Sequence, residues 1–211
     1  MADDTYLTIE APAEGLYRER GSRFMAFAFP VGTEPQVKAH IAALRARYHD
    51  ARHHCYAYVM GPMGERWRVN DDGEPSGTAG RPIHGQLQSQ GLTDILVVVV
   101  RYFGGTKLGV PGLINAYRTA TAEALSRARV VRRTVDDLYH LSFGYQATNE
   151  VMRLVKEMAL EMEWQRFDTQ CAIGLRVRMG LRPQVLPRLQ RIEGLHIDLN
   201  PHHIDTQHVH S

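Results

Sequence analysis

A glycine-rich segment that carries one lysine is the part of this sequence best suited to binding an anion. Four glycines lie between Gly104 and Gly112, and Lys107 stands among them. A continuous apolar run from Ile95 to Val100 precedes the segment, and a run rich in alanine, threonine and leucine follows it. A strand, a glycine loop and a helix in this order present backbone N–H groups and a helix N-terminus to negative charge. The alternative is a tight turn that binds nothing.

The glycine segment does not match the pattern of a nucleotide-binding P-loop. Gly104 and Gly109 have the required separation, but Val110 and Pro111 stand where that pattern needs lysine and then serine or threonine. The sequence therefore favours contact with an anion and not hydrolysis of a nucleoside triphosphate. We expect the helix to start near Gly112, with Pro111 at its first position.

An acidic segment supplies the second group of candidate residues. Asp71, Asp72 and Glu74 place three carboxylates within four positions, and such a group could hold Mg²⁺ or act in acid–base catalysis. A structural turn is the favoured alternative, because Asp-Gly and Pro-Ser-Gly are both turn-forming sequences. Ser76 and Thr78 are then expected to cap the helix that follows. Ser76 lies in no nucleophile elbow and has no assignable base, so nucleophilic catalysis is not predicted.

Two adjacent histidines and a cysteine form a third candidate cluster. His53, His54 and Cys55 include metal-binding side chains, but neighbouring residues of an extended chain point to opposite faces, so only two of them can share one side. No second ligand pair stands at zinc-like spacing. We expect these residues to pack or hydrogen-bond at the head of a strand over Tyr56–Met60. The sequence predicts no metal and no cofactor.

The overall composition excludes several classes of protein. The 211 residues carry a formal net charge of +2, so any nucleic-acid surface has to be a local patch. The two cysteines, Cys55 and Cys171, are far apart, which favours a reducing cytoplasm over a disulfide scaffold. The acidic start shows no signal peptide, and the longest apolar run is too short to span a bilayer. We expect a cytoplasmic protein without a membrane partner.

The N-terminal half predicts strands and one amphipathic helix. Residues 1–15 read as a lead-in without regular structure. A hairpin is expected over Gly15–Pro30, because the turn-forming Arg20–Ser22 lies between two extended runs. A helix is expected over Thr33–Tyr48, with Thr33 as its N-cap and an apolar stripe along one side.

A second pattern begins after a charge cluster at Arg132–Asp136, where we expect a domain boundary. Hydrophobic periodicity then predicts the order βαββαβ. The elements are Leu138–Phe143, Thr148–Ala159, Met162–Phe167, Cys171–Met179, Pro183–Ile192 and His196–Leu199. Arg176 and Arg178 would lie on the open face of this sheet, which is either solvated or faces RNA.

Two long motifs resemble those of the IMPACT/YigZ family in its bacterial two-domain form. They are Asp71–Pro82 and Val99–Gly109, and His53–Cys55 and Ala116–Tyr117 also fit. One departure lies in the loop. The family continues as Gly-Ala-Gly-Gly-Leu-x-Arg-Ala-Tyr, whereas Val110, Pro111 and Asn115 interrupt that pattern here. The sequence leaves open what these three substitutions do.

The resemblance implies an α+β fold with two domains. Residues 15–135 would form a domain similar to the second domain of ribosomal protein S5. Residues 136–201 would form a ferredoxin-like domain, and residues 202–211 a flexible histidine-rich tail. Family members have been linked to translation control, so the resemblance also implies a role in translation.

Two functions follow from these observations. The favoured one is a non-enzymatic, translation-associated regulator that binds RNA, the ribosome or a ribosome-associated protein. The alternative is an enzyme of unknown reaction that uses the carboxylates of Asp71, Asp72 and Glu74 beside the glycine loop. The residues expected to contact an anion or nucleic acid are Arg81, Arg101, Gly104, Gly105, Thr106, Lys107, Gly109, Arg176 and Arg178. The motif residues with a structural or functional role are His53, His54, Asp71, Asp72, Glu74, Ser76 and Thr78. The sequence names neither the partner nor the oligomeric state.

Overall fold

The computed structural model describes residues 4–200, so the predicted tail over residues 202–211 lies outside the described residues. The fold is mixed α/β and contains three sheets. The chain divides into two compact units, one of residues 6–133 and the other of residues 134–200 with residues 4 and 5. No helix within the described range is both long and apolar enough to cross a membrane.

The first unit is built on a five-stranded antiparallel sheet. Its elements in chain order are β1 (Thr5–Ile9), β2 (Ala13–Glu19), β3 (Ser22–Pro30), α1 (Glu34–Arg47), β4 (His53–Met60), β5 (Arg66–Asn70), α2 (Gly80–Ser89), β6 (Ile95–Tyr102), α3 (Gly109–Arg127) and β7 (Val130–Thr134). The strand order in the sheet is β2-β3-β6-β4-β5, and every neighbouring pair is antiparallel. The predicted hairpin is confirmed as β2 and β3.

The central strand β6 is buried on both faces, as its continuous apolar run predicts. Ile95, Val97 and Val99 face a core that includes residues of α2 and α3. Leu96 and Val98 face a second core that includes α1. A helix layer therefore covers each side of the sheet, and the end of β6 delivers the chain to the glycine segment.

Helix α1 begins as its sequence predicts. The Thr33 side chain accepts a hydrogen bond from the Gln36 backbone N–H, and the Gln36 side chain accepts one from the Thr33 N–H at 3.2 Å. This reciprocal pair is a capping box. Val37 and Leu44 are buried on the predicted apolar stripe.

Three predicted elements or boundaries in this unit are wrong, and one strand is missing from the prediction. The supposed lead-in contains β1, which pairs with β7, and Ile9 is completely buried. Strand β4 starts at His53 and not at Tyr56, because its ladder to β6 already begins at that residue. Strand β5 was not predicted at all. Helix α3 starts at Gly109, three residues before the expected position.

The second unit contains the predicted βαββαβ order. Its elements are β8 (Asp136–Phe143), α4 (Thr148–Glu157), β9 (Glu161–Phe167), β10 (Cys171–Arg178), α5 (Arg182–Leu189) and β11 (His196–Asn200). The sheet order is β11-β8-β10-β9, and the pairs are antiparallel. Alternate residues of β10, including Ile173 and Leu175, face the core with α4 and α5.

Candidate functional site

The glycine loop runs between β6 and α3, and its residues Gly104–Lys107 are exposed. Its base is fixed to the hairpin turn between β2 and β3. The Gly104 N–H donates to Ser22 Oγ at 3.0 Å, and a Cβ on residue 104 would lie 1.9 Å from the Gly21 carbonyl carbon. Only glycine fits there, because any side chain would collide with backbone. The loop therefore has a rigid base and an exposed tip.

The N-terminus of α3 follows the loop directly. Leu108 precedes the helix and no side chain within residues 4–200 caps it, so the N–H groups of Gly109 and Val110 stay without an intrahelical partner. Pro111 is the third helical residue and not the first. It still lies in the first turn, where a missing N–H costs the helix no hydrogen bond. These N–H groups and the helix dipole favour a nearby negative charge.

Lys107 supplies the positive charge of this loop. Its side chain is exposed, and no carboxylate of the described residues lies within 4.0 Å of its ammonium group. Thr106 and Gly105 beside it are exposed as well. The loop therefore offers an unpaired cation next to free backbone donors, which is the chemistry of a weak anion site.

The structure places Arg101 below the loop and not on its surface. The residue is buried, and its Nη1 forms an ion pair with the Glu74 carboxylate. The guanidinium carbon also lies 5.2 Å from the centre of the Phe24 ring and 5.7 Å from that of Phe103. Because its charge is neutralised inside the unit, the predicted contact of Arg101 with an external anion is corrected to a supporting role.

Glu74 connects both elements that flank the loop. The Tyr117 hydroxyl, on α3, donates to the same Oε1 that binds Arg101, at 2.8 Å. His53 Nε2 lies 3.9 Å from this oxygen. A buried carboxylate needs such partners, since burial without them is costly. Sequence reasoning missed the contact between Tyr117 and Glu74, although both residues lie in segments that carry the family resemblance.

Cys55 lies in this buried cluster without being a nucleophile. Its Sγ is 3.0 Å from the Asp71 carbonyl oxygen and 3.3 Å from Tyr117 Oη. Burial raises the pKa of the Cys55 thiol and also the pKa of the Tyr117 hydroxyl. Both groups therefore stay protonated at neutral pH, and a protonated thiol is unreactive.

Asp71 caps α2, a role that the sequence assigned to Ser76 and Thr78. Its Oδ1 accepts from the backbone N–H of Ala79 at 3.0 Å and of Gly80 at 2.8 Å, and its Oδ2 accepts from Gly77. Ser76 is exposed and makes no cap, whereas the Thr78 hydroxyl donates to the Pro75 carbonyl oxygen. The predicted caps are therefore wrong. The observed cap is Asp71, which lies eight positions before Ala79 in the sequence.

Asp72 ties the acidic segment to α1 and β4. Its Oδ1 forms an ion pair with Arg45 at 2.8 Å, and its Oδ2 accepts from the His54 backbone N–H at 2.7 Å. Its carbonyl oxygen lies 2.7 Å from His53 Nδ1. Burial lowers the pKa of His54, so this imidazole is neutral at pH 7. Across residues 4–200, no group of three or more His, Cys, Asp or Glu side chains is arranged to hold a metal ion.

The predicted arginines of the second unit already have carboxylate partners. Arg176 lies 3.3 Å from Glu163, and Arg178 donates to both oxygens of Asp4 at 2.7 and 2.8 Å. The Asp4 pKa is lowered mainly by this bond from Arg178. Arg81 of the first unit differs from both, because it is exposed and has no carboxylate of the described chain within ion-pair distance.

Comparison with known proteins identifies the class to which this fold and site belong. The Impact N-terminal domain family matches residues 20–125. The IMPACT family member YvyE of Bacillus subtilis is 37% identical over 153 residues, which are 72% of this chain and 70% of YvyE. The IMPACT family member YigZ of Escherichia coli is 35% identical over 154 residues, 72% of this chain and 76% of YigZ. The chain therefore belongs to the IMPACT family.

One solved structure resembles this chain over nearly its whole length. It is the crystal structure of a hypothetical protein, with 29% sequence identity and a TM-score of 0.71. The match covers 92% of this chain and 96% of the other. The likeness supports the mixed α/β fold across both units.

Proposed function

We propose that this protein is a non-enzymatic binding protein with a role in translation, and that its glycine loop contacts nucleic-acid phosphate, RNA in the first place. Membership of the IMPACT family supports the role in translation, through the link to translation control that the family resemblance implies. The ribosome, which contains RNA, and ribosome-associated proteins make up the wider set of partners in this proposal.

The observation that carries this proposal is the state of the loop surface. Lys107 is exposed without a carboxylate partner among residues 4–200, and it stands between the exposed glycines of the loop and the uncapped start of α3. Backbone donors and a single lysine recognise phosphate but read no base. Binding through this loop should therefore be weak, tolerant of sequence and strongly dependent on salt.

An enzymatic role has less support, because the three candidate carboxylates are already engaged. Asp71 caps α2, Asp72 binds Arg45, and Glu74 is buried against Arg101 and Tyr117. A general acid or base has to reach a substrate, and the protein donors that hold these three carboxylates compete with one. The acidic segment therefore acts as a scaffold for the loop in this proposal.

We also propose a fold type for each of the two units. We assign the first unit, for which the sequence predicts residues 15–135 and the structure gives residues 6–133, to the type of the second domain of ribosomal protein S5. We assign the second, over residues 136–201, to the ferredoxin-like class. The order βαββαβ and the sheet order β11-β8-β10-β9 support the second assignment.

A charge reversal in the loop tests the proposed function. Lys107→Glu should weaken the binding of a short single-stranded RNA at low salt and reduce the slope of log affinity against log salt by about one. The measurement is fluorescence anisotropy at several salt concentrations. Lys38→Glu is the matched control, because Lys38 is also exposed but lies on α1, and it should bind as the wild type does. Identical curves for wild type and Lys107→Glu, or no binding at low salt, would contradict the proposal.

A further inference from the structure

Strand β5 is an edge strand of the five-stranded sheet, and it carries an exposed tryptophan. In the part of the chain that the structure describes, β5 has β4 as its sheet neighbour on one side and no strand on the other. Trp67 is 57% exposed. An indole of this size is seldom left so open at a sheet edge, because its burial would be favourable. The residue is therefore a candidate for contact with a partner.

Trp67 is held on one side only. Its ring contacts the imidazole of His84 in α2 in a tilted arrangement, with ring centres 4.7 Å apart and planes at 31°. His84 itself is buried, and burial lowers its pKa, so the ring is neutral at pH 7. The pair is therefore an aromatic contact without charge, and more than half of the Trp67 surface stays exposed to solvent.

Two arginines precede and follow this tryptophan in β5. Arg66, Trp67 and Arg68 are consecutive residues of β5. Their partners in β4 are Met60, Val59 and Tyr58, respectively. Since successive strand residues alternate between faces, the two arginines project from the face opposite to the indole. Both are exposed, and neither has a carboxylate of residues 4–200 within ion-pair distance.

A third unpaired arginine lies at the far end of the same strand. Helix α2 starts against the C-terminal end of β5, where a Cβ on Gly80 would lie 2.8 Å from the Asn70 nitrogen. Arg81 follows directly and is exposed. The edge of β5 therefore presents one exposed aromatic ring, with two arginines on the opposite face of the strand and a third at the start of α2. None of the three has an ion-pair partner in the described chain.

We propose that this edge, formed by Arg66, Trp67, Arg68 and Arg81, binds single-stranded nucleic acid. A base stacks on the exposed part of the Trp67 ring, and Arg81 of the adjoining helix α2 contacts a neighbouring phosphate. Arg66 and Arg68 contact further phosphates where the nucleic acid passes over the sheet edge to the opposite face. Aromatic platforms flanked by basic residues bind single strands in this way, largely without base preference. The inference rests on the proposed nucleic-acid function but uses residues outside the glycine loop.

The charge of the edge decides between this partner and a peptide. A peptide that extended the sheet would have to pair with the β5 backbone, and charged residues on an edge strand oppose such pairing. Three unpaired arginines complement a phosphate backbone without any requirement for β structure. The experiment therefore includes an acidic polypeptide as a competing ligand, and its binding would contradict the inference.

The two tryptophans of the chain allow a direct optical test. In a Trp164→Phe variant, all tryptophan emission comes from Trp67. Titration with oligouridylate of about 12 nucleotides, a length within the range that single-strand modules cover, should quench this emission, and oligothymidylate serves as the DNA arm. Inorganic triphosphate should leave it unchanged, because it has charge but no base. In the reciprocal Trp67→Phe variant, the emission of Trp164 should not respond.

Affinity measurements by anisotropy complete the experiment. Trp67→Ala should weaken oligouridylate binding about tenfold, the effect of losing one stacked base. Trp164→Ala is the matched control, since Trp164 is also partly exposed but lies in the second unit on Gly174 and His140, and it should bind as the wild type does. The double variant Arg66→Glu with Arg68→Glu should reduce the salt slope by about two. Circular dichroism confirms that each variant is folded.

The outcomes separate this inference from the proposed function. If Lys107→Glu weakens binding while Trp67→Ala binds like the wild type and Trp67 emission stays constant, the inference is overturned and the loop proposal stands. If the wild type binds no oligonucleotide at low salt, both are overturned. If polyglutamate quenches Trp67 as strongly as oligouridylate does, the edge binds an acidic protein and the inference is overturned.

Discussion

Glu74 joins the exposed loop to a rigid interior. Its carboxylate holds Arg101 at the end of β6 and Tyr117 in α3, so the elements before and after the loop share one buried partner. Removing one member of such a buried pair leaves the other charge uncompensated, which is strongly destabilising. Arg101 is therefore committed to the interior, and Lys107 is the cation that remains at the loop surface.

Asp94 is a second buried carboxylate, and it should make stability depend on pH. Its Oδ1 accepts from the Gly61 N–H at 2.8 Å, and the Tyr6 hydroxyl also bonds to it. Burial raises the pKa of Asp94 above its ordinary value, and burial also raises the pKa of Tyr6 to about 12. The folded state thus favours the protonated acid, so its stabilising contribution is largest at low pH and falls as pH rises through the raised pKa.

Replacing Asp94 with asparagine should remove this dependence. The asparagine side chain would keep an acceptor for the Gly61 N–H, and asparagine tolerates the backbone φ of +51° at this position. The free energy of unfolding of Asp94→Asn, relative to the wild type, should therefore increase as pH rises from about 4 towards neutrality. Urea denaturation over a pH series measures this difference in the free energy of unfolding. The Asp168→Asn variant, at an exposed position, is the control. A difference that stays constant or shrinks with rising pH would refute the assignment.

At the scale of elements, the start of α2 depends on Asp71. Three backbone N–H groups donate to this one side chain, from Gly77, Ala79 and Gly80. Asp71→Ala should therefore lower the free energy of unfolding by about 1–2 kcal/mol, the usual effect of losing a helix cap. Ser76→Ala should change it by less than about 0.5 kcal/mol, because Ser76 is exposed and caps nothing. Chemical denaturation compares the two, and equal losses would show that the cap is shared.

The elements that the sequence predicted correctly are those with a strong local pattern. Strand β6 has an unbroken apolar run, and α1 has both a capping box and an apolar stripe. Strand β5 carries no such signal, because Arg66, Trp67 and Arg68 lie at an edge and need no apolar side. Strand β1 is defined by its partner β7, which is more than a hundred residues away in the chain, and no local pattern reports that pairing.

The candidate site was predictable in part for the same reason. The glycines and Lys107 follow from local composition, and the structure leaves them exposed. The burial of Arg101 and the cap by Asp71 depend on contacts across 27 and 8 or 9 positions of the sequence. Residue type alone cannot tell a cation that faces solvent from one that neutralises a buried carboxylate.

At the scale of the whole molecule, the arginines that are candidates for contact with a partner differ in their pairing, although the first unit also pairs Arg45 and Arg101 with carboxylates. In the first unit, Arg66, Arg68 and Arg81 are exposed without carboxylate partners among residues 4–200. In the second, Arg176, Arg178 and Arg182 all contact carboxylates. A net charge of only +2 is therefore compatible with a local basic surface, and we expect that surface on the first unit.

The first unit should fold alone, provided that β1 is included. Both of its cores, one on each face of the five-stranded sheet, lie within residues 6–133. Ile9 is completely buried, the Thr93 N–H donates to the Leu7 carbonyl oxygen at 2.9 Å, and the Thr8 hydroxyl donates to the Asp94 carbonyl oxygen. A fragment of residues 6–133 should therefore unfold cooperatively and keep the Lys107-dependent RNA binding of the full chain.

A fragment of residues 15–133 tests the importance of β1, and it also lacks Ala13 and Glu14 at the start of β2. It begins where the sequence places the domain boundary, and it loses the burial of Ile9 together with the bonds from Thr8 and Thr93. Its free energy of unfolding should fall by about 2–3 kcal/mol relative to residues 6–133, the contribution of one fully buried large aliphatic side chain. Urea denaturation of both fragments gives this difference, and circular dichroism shows whether each is folded. If the two fragments were equally stable, β1 would contribute nothing to this unit and the boundary at residue 15 would be the correct one.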